Sequence, residues 1–120
     1  MESKTVIWMV GTQVKPGVDE EKFNKWYDEV HIPMLLVGNY VKRVSRSKLA
    51  EKTHHVANET HECPKYLTLY EFKNEDDFEA WMTCPEREAA GKDKLDTWGP
   101  EGGYEVFWAT RYDAIQEWGI

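Results

Sequence analysis

FNKWYDEVHIPMLL, residues 23–36, decides how the rest of the chain is read. Phe23, Trp26, Tyr27, Val30 and Met34 recur at helical spacing, which predicts an amphipathic helix with an aromatic stripe. His31 falls on the edge of that face, one turn beyond Tyr27. Pro33 disfavours helical geometry at Ile32 and has no N–H to donate, so the regular helix is expected to end or kink near His31. A titratable ring is then held at a helix C-terminus beside apolar side chains. That setting suits proton transfer on a small hydrophobic molecule.

Upstream, Thr5–Val14 reads as a strand, with Val6, Trp8 and Val10 on one face and Ile7 and Met9 on the other. Pro16-Gly17 ends it, and Asp19 caps the helix that follows. Downstream, Tyr40–Leu49 reads as a polar edge strand. Ala50–Pro64 reads as a long polar hairpin loop carrying three of the four histidines. Tyr66–Phe72 is a strong strand, with Tyr66, Thr68, Tyr70 and Phe72 opposite Leu67, Leu69 and Glu71. Asn74 caps a second helix with an apolar stripe of Phe78, Trp81 and Met82. Pro85 breaks or restarts it, and Glu86–Trp98 reads as further helix interrupted at Gly91. Tyr104–Tyr112 is the last strand, with Val106, Trp108, Thr110 and Tyr112 expected on one face and Glu105, Phe107, Ala109 and Arg111 on the other.

The order β-α-β-β-α-β predicts an α+β, ferredoxin-like split βαβ fold, one domain over residues 1–120 with a four-stranded antiparallel sheet. Both faces of the strands carry apolar or aromatic residues, although helices cover only one face in this fold. A homodimer with the sheets facing each other, a dimeric α/β barrel, accounts for the second face. The 15 basic and 22 acidic residues leave a net charge of −7, which speaks against nucleic acid as a partner. No segment approaches the length of a membrane span and the N-terminus shows no signal-peptide pattern, so no membrane partner and a cytoplasmic location are expected. Cys63 and Cys84 make no disulfide framework.

This pattern resembles the dimeric α/β-barrel superfamily over about residues 5–113. Within that superfamily, Trp26–Leu36 is similar to the EthD-like group, whose first helix carries a comparable aromatic–acid–histidine–proline sequence. The resemblance implies a small dimeric protein. Its relatives include cofactor-free monooxygenases, polyketide cyclases, isomerases, dehydratase-like and decarboxylase-like proteins, and haem-binding enzymes. Only His31, in the motif's histidine position, inherits a functional role. The fold does not choose among the reactions.

Taken together, these readings favour a cofactor-independent enzyme acting on a hydrophobic, aromatic or polyketide-like small molecule. Lyase, dehydratase, cyclase, decarboxylase and isomerase chemistry all fit. The alternatives are a cofactor-free monooxygenase, a non-catalytic ligand-binding dimer and a haem-binding protein. The candidate catalytic residues are His31 as acid or base, with Tyr27 and Tyr70 orienting a substrate oxygen. Trp8, Trp26, Met34, Tyr66, Glu71 and Trp108 are the candidate substrate-binding residues. His31 as a C-cap, the aromatics as packing and Glu71 in an ion pair with Arg43 or Arg111 are the competing structural readings. Two terms oppose at His31: a helix C-terminus favours its charged form and burial its neutral form. Asp28 is expected on the solvent side, within reach of orienting His31. No metal or cofactor is expected. The spacing of His54, His55, His61 and Cys63 matches no strong metal pattern. A haem reading would fall on Cys84, since no histidine follows His61.

Overall fold

The computed structural model describes residues 4–51 and 63–119. The chain runs β1 (Val6–Val14), α1 (Glu20–Trp26), a π-helical turn (Tyr27–His31), α2 (Ile32–Leu36), β2 (Arg43–Lys48), β3 (Tyr66–Phe72), α3 (Glu75–Met82), α4 (Pro85–Trp98) and β4 (Tyr104–Asp113). The strands form one antiparallel sheet in the order β2-β3-β1-β4. This is the ferredoxin-like arrangement that the element order implies. Residues 52–62 fall outside the described residues, and with them the expectations for His54, His55 and His61.

Local chemistry starts each helix where the sequence suggests. The Asp19 carboxylate accepts from the backbone N–H of Lys22 at 3.2 Å, and the Asn74 side chain accepts from that of Asp77 at 2.8 Å. Pro85 opens α4 with Cys84 at the cap, so the helix restarts there as expected.

Three expectations are corrected. The regular α-helix gives way near His31, as expected, but the helical rod does not end there. The Ile32 N–H bonds to the Tyr27 carbonyl five residues back, and the helix resumes as α2 with Pro33 in its first turn. Pro33 has no N–H to give, so a widened turn and restart accommodate it without ending the rod. His31 is therefore inside a helical rod, and the C-cap reading lapses.

Gly91 does not interrupt α4, which is continuous from Pro85 to Trp98. A single helical glycine weakens a helix but does not break it.

The faces of β4 also differ from the simple alternation. The β1–β4 register shifts between Gly11 and Thr12: Thr12 lies opposite Val106, but Gly11 lies opposite Trp108. Two residues of β4 there span one step of β1, which is a β-bulge, and it inverts the alternation beyond it. Val106 belongs with the helix-facing row, whereas Ala109 and Arg111 take over that row after the bulge, beside Val10 and Trp8. Trp108 and Tyr112 go to the opposite face. A Cβ on Gly11 would come within 2.7 Å of Pro64 and 3.0 Å of the Trp108 ring, so glycine lets that ring lie against the strand.

Under the helices, Phe72 and Trp81 anchor one buried cluster with Val6, Leu35 and Phe78. Phe23, Trp26, Tyr27, Tyr66 and Tyr104 form a second. The other face of the sheet presents Ile7, Met9, Leu67, Leu69, Trp108 and Tyr112, and among the described residues no helix covers it.

Candidate functional site

A cavity of about 220 Å³ opens at the seam between the two clusters. The π-helical turn contributes Tyr27 and His31, and α2 contributes Leu35. From the sheet come Trp8, Val10, Tyr70, Tyr104, Val106 and Ala109. From α3 and α4 come Trp81, Arg87, Ala90, Gly91 and Lys94.

His31 is held between two rings. It stacks on Trp26 with centroids 4.8 Å apart and meets Tyr27 edge-on at 4.9 Å. The Trp26 indole is fixed in turn by donating to the Asp93 carboxylate at 2.8 Å. Burial dominates the electrostatics of His31, with the positive charges of Lys94, Arg87 and Arg46 adding to it and Asp93 opposing. The outcome is a pKa lowered to about 4, so the ring is neutral near neutral pH. Its Nδ1 is buried without a hydrogen-bond partner among the described residues. The ring is therefore a neutral imidazole with one enclosed, unpaired nitrogen.

Three phenols surround it. Burial raises Tyr27 and Tyr104 above the ordinary tyrosine range. Tyr70 is held well above it, by burial first and then by the adjoining Tyr27 phenol. All three stay protonated and can donate to a substrate oxygen.

Of the sequence candidates, the structure brings His31, Tyr27, Tyr70 and Trp8 to one cavity. Trp26 supports His31 from behind. Met34 packs against the first core cluster. The Tyr66 hydroxyl is occupied elsewhere, donating to Glu20 and accepting from Asn24 at 3.0 Å. Glu71 stands on the other face of the sheet, 3.7 Å from Arg43, which is the structural ion pair. Trp108 is also on that face, behind the bulge, and cannot reach this cavity. Arg111 pairs with Glu75, Glu79 and Asp113 instead of Glu71. Asp28 is exposed and accepts from Arg46 at 3.0 Å, so it does not orient His31. Cys84 is buried in the first core cluster, away from the cavity walls, and Cys63 is exposed. Among the described residues no group of three His, Cys, Asp or Glu side chains is placed to hold a metal.

Tyr104 and three residues of α4 escape the sequence reading: Arg87, Gly91 and Lys94. The signal was present for α4, since positions 87, 90, 91 and 94 share one helical face, but a break at Gly91 conceals it. For β4 the signal was Gly11 itself, a glycine inside a strand pattern.

The family described as "Domain of unknown function (DUF4286)" matches residues 5–94. No curated protein matches the chain. Solved structures of similar fold include an ethyl tert-butyl ether d (EthD) family protein from Bacillus halodurans, 13% identical, with a TM-score of 0.57 over 95% of this chain and 99% of that one. SnoaB, a cofactor-independent oxygenase from Streptomyces nogalater, is 11% identical, with a TM-score of 0.63 over 96% and 97%. A dimeric protein of unknown function and ferredoxin-like fold from Bacteroides fragilis is 20% identical, with a TM-score of 0.59 over 95% and 100%. The fold-level resemblance to EthD-like proteins therefore holds, and no helix of the described residues is long and apolar enough to cross a membrane.

Proposed function

The chain belongs to the DUF4286 family, and from that premise we propose that it is a small enzyme using His31 as a general base on a compact hydrophobic molecule. The observation that carries the reading is a neutral imidazole lining the same cavity as three protonated phenols. The imidazole takes a proton from carbon or oxygen of the substrate. Tyr27 or Tyr70 donates to the oxygen on which charge develops, a role that needs a phenol kept protonated. Trp8 and Trp81 supply flat apolar walls.

Size narrows the substrate class. An apolar cavity of roughly 150 Å³ takes up benzene, so about 220 Å³ suits one ring with a short substituent. Elimination, isomerisation and decarboxylation of a one-ring compound remain natural outcomes. Oxygen insertion also fits if the carbanion formed is stabilised.

In this reading a second copy of the chain covers the exposed apolar face around Trp108, as the dimeric Bacteroides fragilis relative suggests. The cavity lies on the helical side of the sheet.

Solvent-deuterium exchange tests the base directly, because it requires no knowledge of the complete reaction. One-ring compounds with an acidic C–H are incubated in deuterium oxide with wild-type protein and with His31→Gln. Exchange is expected with the wild type and lost in the variant. Undiminished exchange by His31→Gln would sink the assignment. Ligands that bind without any exchange would place the protein among non-catalytic binders, and oxygen uptake in the same tubes identifies an oxygenase.

A further inference from the structure

The α4 wall of the cavity carries two cations that the proton-transfer reading leaves unused. Arg87 and Lys94 lie two helical turns apart on one face of α4, with Ala90 and Gly91 between them. Among the described residues neither forms an ion pair, in a chain that has 22 carboxylate side chains for 15 basic ones. The other partly buried guanidiniums each have a carboxylate: Arg46 pairs with Asp28 through one of its three nitrogens, and Arg111 with three acids. Arg87 and Lys94 instead rest on rings, Arg87 4.4 Å from the Trp81 centroid and Lys94 4.6 Å from that of Tyr104. Of the acids beside them along the helix, Glu86 and Glu88 next to Arg87 form no ion pair with it among the described residues, and Asp93 next to Lys94 is engaged by the Trp26 indole.

We infer that this cavity takes its substrate as a carboxylate, the anion seated on Arg87 and Lys94 and the apolar body lying against Trp8, Val10 and Leu35. The inference rests on the reading of the cavity as a substrate site and names the substrate class. A monocarboxylate is the smaller anion for a cavity of about 220 Å³, and the Tyr27, Tyr70 and Tyr104 phenols supply further donors around it. Burial holds both cations below their ordinary pKa, with Lys15 adding to the effect at Lys94, so the protein alone leaves them incompletely compensated.

The same seat tunes the base. Lys94, Asp93 and Arg87 of α4 and Arg46 of β2 are the charges acting on His31, and Tyr27, Tyr70 and Tyr104 are the titratable neighbours in the cavity. A carboxylate on Arg87 and Lys94 cancels the two cations that oppose imidazolium formation. The base becomes stronger when the substrate is bound, while burial, the larger cause, continues to favour its neutral form.

Phenylacetate and its neutral isostere phenylacetamide separate the possibilities. Binding of each is measured by calorimetry, and the His31 imidazole is followed by NMR titration with and without each ligand. The wild type is expected to prefer the acid by about tenfold or more. Arg87→Gln and Lys94→Gln are each expected to erase most of that preference, and His31→Gln to retain it. The His31 pKa is expected to rise with phenylacetate and to stay put with phenylacetamide. Equal binding of acid and amide by the wild type overturns the anion seat and leaves the acid–base reading standing. Binding of neither, across a panel of one-ring acids and amides, overturns both. The wild-type comparison decides the matter even if a cation variant fails to fold.

Discussion

Replacing His31 with glutamine should flatten the acid side of the stability profile. In the native protein His31 has a pKa of about 4 because burial, then Lys94, opposes its charged form. In the unfolded chain the ring returns to roughly 6.5. The unfolded state therefore binds a proton first as pH falls, and unfolding gains about 1.4 kcal/mol per pH unit between those values. The contribution is fully present above the unfolded pKa and lost as pH falls toward the native one. Across the window it amounts to about 3 kcal/mol, a substantial share of the ~5–15 kcal/mol typical of a domain. Glutamine is neutral throughout and carries no such dependence. The assay is urea denaturation followed by circular dichroism for both proteins, at about pH 7.5 and about pH 4.5. Protein concentration is held constant, since self-association would couple to stability. Carboxylate buffers are avoided because the cavity is inferred to bind them. All other titrating groups are common to the two proteins and largely cancel in the difference. Wild type is expected to lose about 2–3 kcal/mol more than His31→Gln between the two conditions. Parallel losses would mean that the native ring titrates as in the unfolded chain, and the account of a neutral, desolvated base would fall with it.

Other perturbations probe the remaining parts. Phe72 is fully buried, with ring centroids 5.2 Å from Phe78 and 5.0 Å from Trp81. Phe72→Ala is expected to cost about 3–5 kcal/mol, read from the shift of the urea midpoint. Tyr27, Tyr70 and Tyr104 all have raised pKa values. An alkaline absorbance titration should show three of the six tyrosines ionising only as the fold opens, whereas six ionising together near pH ~10 would contradict their burial. Trp108→Glu puts a charge on the uncovered face of the sheet, and sedimentation is expected to show monomers where the wild type shows dimers. A variant dimer as tight as the wild type would move the interface elsewhere.

Much of the fold was legible because its signals are short-range. Tyr66–Phe72 alternates cleanly and becomes the buried strand β3. Asp19 and Asn74 cap the helices that follow them, since a side chain reaching three residues along needs nothing from the rest of the chain. Part of the cavity was also legible, because His31 and Tyr27 lie in one helical stretch and Tyr70 and Trp8 lie on strand faces whose alternation is undisturbed. Trp108 was misplaced because one extra residue inverts the phase of a strand, and a period-two pattern cannot register that shift. Glu71 looked like an acid in an apolar face until Arg43 was placed across from it on the neighbouring strand.

The sequence by itself determined the order of elements, the aromatic character of the site and the presence of a histidine on its edge. Those follow from periodicities of two and 3.6 residues, from caps and from turn residues, all written within a few positions of one another. Only the tertiary structure decided the state of that histidine. A helix C-terminus would have favoured the charged ring. The π-helical turn instead carries the chain past it, seals it against Trp26 and brings Arg87 and Lys94 of α4 to the same cavity. Burial, then those distant cations, set the ring's neutral form, because desolvation and charge act through space rather than along the chain.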